Sequence, residues 1–101
     1  MLVTRWQAPI VPQVSQILKM YEAEGLEPTE ERFAANSEVA EQRHPFDEVI
    51  TVAEGELMLD ITGNKLLLRP GDRIVIPSNT KYQFKAGETN GCMCIRASKT
   101  F

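Results

Sequence analysis

Four residues between positions 42 and 82 have side chains that can do chemistry together: Gln42, His44, Glu48 and Tyr82. His44 is the only histidine. An imidazole and a carboxylate four residues apart can serve as a metal-ligand pair, as an acid and base, or as a buried hydrogen-bonded couple. Gln42 and His44 are two apart, so on a strand they share a face. Glu48 begins a run in which Ile50 and Val52 have its parity. With those two in the core, Glu48 points the same way, into the mouth of a cavity. Tyr82 follows the turn residues Pro77-Ser78-Asn79-Thr80. Its phenol, with an unperturbed pKa of about 10, must lose a proton before it can bind a metal ion. Asp47 precedes Glu48 and should face the opposite way, toward solvent. Ser15, Ser37 and Ser78 have no histidine at a spacing that would make a serine hydrolase.

These residues need a scaffold, and the chain supplies mostly strands. One helix is expected from Pro12 to Glu24, where Val14, Ile17, Leu18 and Tyr21 form the stripe of a 3.6-residue repeat. Pro12 suits its first turn, Gly25 its left-handed end, and Pro28 stops it from resuming. Beyond Pro28 the pattern is short strands with turn punctuation: Glu30 to Ser37, Val39 to Arg43, Glu48 to Ala53, Glu56 to Ile61, Lys65 to Leu68, Arg73 to Ile76, Lys81 to Lys85 and Cys92 to Ser98. Glu54-Gly55 reads as a turn. Gly63-Asn64 reads as a tight hairpin, and Arg69-Pro70-Gly71-Asp72 as a type II turn. Strands at this spacing, without alternating helices, predict an antiparallel sandwich or barrel. Leu57, Leu59, Ile61, Ile74, Ile76 and Phe84 are the expected core. Trp6, Phe33, Phe46 and Phe84 read as core aromatics.

Composition narrows the classes. The 101 residues make one domain, with 43% hydrophobic and 25% charged residues. Eleven basic against fourteen acidic residues, without a basic stripe, argue against nucleic acid. The first half is the acidic one, which reads as a solvated face. No apolar run is long enough to cross a membrane, and Met1 to Trp6 lacks the form of a signal peptide. Cys92 and Cys94 sit two apart on one strand, too far to bond easily, and read as reduced thiols in a cytoplasmic protein.

The stretch Gln42-Arg43-His44-Pro45-Phe46-Asp47-Glu48, with Gly55 seven beyond the glutamate, resembles the first conserved motif of the cupin superfamily. Gly63, Pro70-Gly71-Asp72 and Pro77 resemble the second. The likeness covers residues 42–84, and the strand order extends it to about 30–98. It implies an all-β fold: an antiparallel, jelly-roll-like cupin barrel over residues 30–101, with the N-terminal segment 1–29 packing its helix on the outside. Cupins usually hold a divalent metal with three histidines and a glutamate. Here Gln42 stands in place of the first histidine and Tyr82 in place of the third, while His44 and Glu48 match. Asn79 replaces a turn glycine and Ala86 an asparagine.

The expectation is therefore a small-ligand-binding cupin with a degraded metal site. Gln42, His44, Glu48, Tyr82 and Phe84 line the ligand. Gln42, His44, Glu48 and Tyr82 form at most a weak site for iron, nickel, manganese or zinc. Histidines at positions 42 and 82 would restore the usual set. The alternative is an enzyme, a weak-metal oxygenase or an acid–base isomerase or epimerase, with His44, Glu48 and Tyr82 catalytic. A third reading needs no ligand, since the four side chains can satisfy one another. The resemblance also implies a homodimer.

Overall fold

The structure, a computed structural model, describes residues 2–99; Met1 and residues 100–101, the ends of the expected segments, lie outside the described residues. One helix and nine strands follow in order: β1 (Leu2–Thr4), α1 (Val14–Ala23), β2 (Thr29–Phe33), β3 (Glu38–Gln42), β4 (Asp47–Gly55), β5 (Leu57–Ile61), β6 (Asn64–Leu68), β7 (Arg73–Ile76), β8 (Tyr82–Ala86) and β9 (Cys92–Lys99). All pairings are antiparallel. They make a five-stranded sheet, β1-β7-β4-β9-β2, and a four-stranded sheet, β3-β8-β5-β6. The two sheets share one core, but their hydrogen bonds do not join them into a ring.

That core contains all six residues expected from alternation: Leu57, Leu59, Ile61, Ile74, Ile76 and Phe84. β4 is central in its sheet, and both of its faces are covered. Ile50 and Val52 face the four-stranded sheet. Val49 and Ala53 lie under α1, against Ile17 and Tyr21. The helix begins at Val14, two residues after Pro12, and ends as expected. Gly25 has φ +79°, and the N–H groups of Gly25 and Leu26 donate to the carbonyls of Glu22 and Tyr21 at 3.0 Å each.

Several local expectations are corrected. The N-terminal segment carries a strand as well as a helix, because Leu2–Thr4 pairs with β7. The first expected strand stops at Phe33, and Ala34–Ser37 turns the chain from one sheet to the other, with Asn36 at φ 62°. The Glu54-Gly55 turn is instead the end of β4, where an irregular pairing between Val52 and Glu54 bends the strand. In the β5–β6 hairpin, Ile61 pairs with Asn64, so the loop residues are Thr62 and Gly63, not Gly63 and Asn64. Thr62 takes φ 49°, an uncommon value for a β-branched residue. Asp60 helps hold this turn, accepting the Gly63 N–H at 3.1 Å.

Candidate functional site

The corner between β3 and β4 carries His44, and the turn before β8 leads to Tyr82. Two hydrogen bonds tie them. The Asn79 N–H donates to the His44 carbonyl at 2.7 Å. The Ser78 N–H donates to Asp47 Oδ1 at 2.8 Å. Asp47 thus points away from Glu48, as alternation requires, but it braces this turn. Asn79 has φ 61°, which explains a residue tolerant of left-handed backbone there.

Gln42 reaches the site by a different route. Val39 pairs with Phe84 and Gln42 with Tyr82, so three steps on β3 match two on β8. Residues three apart on a regular strand face opposite ways. The bulge between them lets Val39 pack on the core while Gln42 meets Tyr82.

The four predicted polar side chains come together. His44 Nε2 lies 3.3 Å from Gln42 Oε1 and 3.5 Å from Glu48 Oε2. Both neighbours are acceptors, so Nε2 is the ring nitrogen placed to donate toward them. The Tyr82 hydroxyl donates to Glu48 Oε2, and Gln42 Oε1 stands 3.3 Å from it. Phe46 stacks on the His44 ring, with centroids 4.9 Å apart and planes 10° apart.

Arg96, a residue the sequence reading did not single out, completes the group. Its Nε–H donates to Glu48 Oε1 at 2.7 Å, and its Nη2 donates to the same oxygen. Nη2 also lies 3.3 Å from the Tyr82 oxygen. Nη1 donates to Glu31 Oε2, and the guanidinium lies over the Phe84 ring at 5.6 Å. Phe84 supports the site from the core without lining its opening. The one available signal was parity: Arg96 shares its strand face with Cys92 and Cys94, whose small apolar side chains mark the inner side.

A cavity of about 250 Å³ opens over this group, lined by His44, Phe46, Glu48 and Arg96 and rimmed by Glu27, Thr29, Glu31 and Ser98. Gln42 and Tyr82 contact the lining residues from behind. Burial and the adjoining Glu48 carboxylate push the Tyr82 phenol above its ordinary pKa. It is a hydrogen-bond donor here, not a phenolate. Burial opposes the Arg96 charge, but the Glu48 and Glu31 carboxylates outweigh it and raise the pKa of the guanidinium.

This donor set does not fit a divalent cation. Each Glu48 oxygen already accepts from Arg96 or Tyr82. The His44 nitrogen nearest to Glu48 is placed to donate toward it, and Tyr82 keeps its proton. Two unit charges 4 Å apart interact by about 4 kcal/mol at an effective dielectric of 20, so a divalent ion beside a guanidinium would be repelled by roughly twice that.

The family profile for the cupin domain matches residues 29–95. The chain belongs to the cupin domain family. No curated protein sequence matches it significantly. Among solved structures, this cupin is similar to a protein of unknown function from Rhizobium leguminosarum bv. viciae 3841, with TM-score 0.68 and 18% identity over 75% of this chain and 71% of that one. It is similar to KdgF from Halomonas sp., with TM-score 0.65 and 23% identity over 75% and 70%. It is also similar to the polyketide cyclase RemF from Streptomyces resistomycificus, with TM-score 0.64 and 25% identity over 72% of this chain and 54% of that one. Among the described residues, no helix is long and apolar enough to cross a membrane.

Proposed function

We propose that this cupin binds a small polar ligand in the cavity over His44, Glu48 and Arg96, by direct hydrogen bonds. The observation that carries this reading is the convergence of side chains from β2, β4, β9 and the β3–β4 corner on one solvent-open cavity of about 250 Å³. Ligand pockets of roughly 300–1,000 Å³ suit drug-sized molecules, so the ligand here is smaller. His44 Nδ1 and the flat His44–Phe46 pair supply an acceptor and a stacking wall. The test is a melting-temperature screen of small polyols, amides and organic acids on the wild type and on His44→Ala. Compounds that raise Tm in the wild type and not in the variant support the reading. A screen with no such compound sinks it.

A second reading, an acid–base isomerase or epimerase, is favoured by the adjacency of His44, Glu48 and Tyr82 and by the likeness to a protein called a polyketide cyclase. In it His44 Nδ1 takes a proton from the ligand, and Glu48 holds the imidazole in place. Tyr82, with its raised pKa, positions an oxygen rather than yielding its proton. Deuterium entering a carbon–hydrogen bond of a screening hit in D2O, and failing to do so with His44→Ala, would establish this chemistry. A weak-metal oxygenase draws no support from a cavity with a guanidinium on Glu48. The same proposal includes a homodimer, testable by light scattering, and a cytoplasmic setting, in keeping with the two free buried thiols Cys92 and Cys94.

A further inference from the structure

We infer that Arg96 is the specificity-determining residue of the cavity: its guanidinium is a resident cation, seated on Glu48 where a divalent metal would have to bind. Three observations support this. Arg96 is built in rather than laid on the surface, with only 16% of its side chain exposed. It engages the cavity from two sides, with Nε and Nη2 on Glu48 and Nη1 on Glu31. It also takes part in positioning the other polar groups, since Glu48 holds the Tyr82 hydroxyl and Nη2 lies 3.3 Å from that oxygen. Glu48 is thus a carboxylate with a permanent counter-ion. A planar fork that grips a carboxylate through two N–H groups does not exchange readily for a hydrated ion.

The inference rests on the reading of this cavity as a ligand site and adds to it. A ligand here is recognised by direct hydrogen bonds, not by chelating a metal. It also changes what the two replaced histidines mean. Gln42 and Tyr82 are matched to Arg96, because an amide oxygen and a phenol can face a protonated imidazole nitrogen and an occupied carboxylate without adding charge. Putting histidines back at 42 and 82 is then insufficient, since Glu48 remains taken.

The experiment is a cobalt(II) titration followed by visible absorbance, on four folded proteins. The wild type and Gln42→His/Tyr82→His are expected to show no saturable binding at micromolar cobalt. Adding Arg96→Gln to the double variant is expected to raise affinity by roughly ten- to a hundredfold, the scale on which partners of metal ligands act. Adding Arg96→Lys instead, which keeps the charge, is expected to leave the metal excluded. Stoichiometric cobalt in the wild type, or equal affinity in the double and the Arg96→Gln triple variants, overturns the inference. If the triple variant does not fold, Arg96→Gln alone decides. A gain of cobalt binding over the wild type supports the inference, and no gain overturns it. The arms are separable from the ligand screen. A screen without hits removes the ligand reading and leaves the cobalt result standing, while a hit whose affinity depends on added cobalt keeps the ligand site and removes the role of Arg96.

Discussion

Two buried carboxylates, Glu48 at the start of β4 and Asp72 just before β7, are held in contrasting ways. Asp72 accepts the backbone N–H groups of Trp6 at 2.9 Å and Arg69 at 3.0 Å, and Arg5 Nη1 at 2.8 Å. Two of its three donors are backbone, and they tie the Arg69–Asp72 turn to the segment after β1. Gly71 belongs to the same clasp: it has φ +95°, and a Cβ there would lie 2.5 Å from the Trp6 side chain. Among the described residues, the Glu48 carboxylate has only side-chain partners, from β8, β9 and the β3–β4 corner, and it borders a cavity. A carboxylate held by backbone is part of the fold. One held by side chains around an opening can be re-partnered by substitution, and that is where function can change without loss of the scaffold.

The largest expected effect comes from breaking the Glu48 group on one side. Glu48→Leu leaves the guanidinium of Arg96 buried without its main partner, and should cost about 3–5 kcal/mol in denaturant melts. Replacing both, Glu48→Leu with Arg96→Met, should recover most of that loss, because the desolvation of the charges disappears with them. If the double change is as unstable as the single one, the site is rigid scaffold and the contrast with Asp72 fails.

Asp72→Asn should cost about 1–3 kcal/mol, with part of the clasp kept by the amide oxygen. This loss depends on pH. Burial would raise the Asp72 pKa, but the Arg69 and Trp6 N–H groups and Arg5 together lower it below the ordinary 3.8. The stability it contributes is therefore present above that ordinary value and is lost as pH falls through the lower, folded-state value. The gap between wild type and Asp72→Asn should be constant near neutral pH and shrink below about pH 3.8. Urea melts across that range check the sign.

His44→Ala should separate function from fold most cleanly. The His44 side chain is 30% exposed, so its loss should cost less than about 1 kcal/mol while removing ligand-induced shifts in Tm. At the small end, Arg32→Ala should change stability by no more than about 0.5 kcal/mol. Its ion pair with Glu54 spans 3.6 Å with both side chains largely exposed, and such pairs are weak.

Much of this molecule was legible from local pattern alone. Alternation found the core strands, because a half-buried strand must repeat every two residues. Gly25, Pro70-Gly71 and Asn79 marked reversals through the backbone angles they favour. The spacing of His44 and Glu48, with the cupin resemblance that sets Tyr82 in place of a third histidine, was enough to place these side chains together. The parts that local pattern missed depend on partners distant in sequence. Leu2–Thr4 is too short to show a period and is a strand only because β7 offers an edge. The bulge that turns Gln42 inward exists only in register with β8. Arg96 stands 48 residues from the Glu48 it neutralises. A lone arginine in a strand reads as solvated, since burying a charge is favourable only when a partner is waiting. Sequence by itself thus determined most of the elements and four of the site's polar groups. Tertiary structure decided which charge fills the cavity, because that depends on which strands lie side by side.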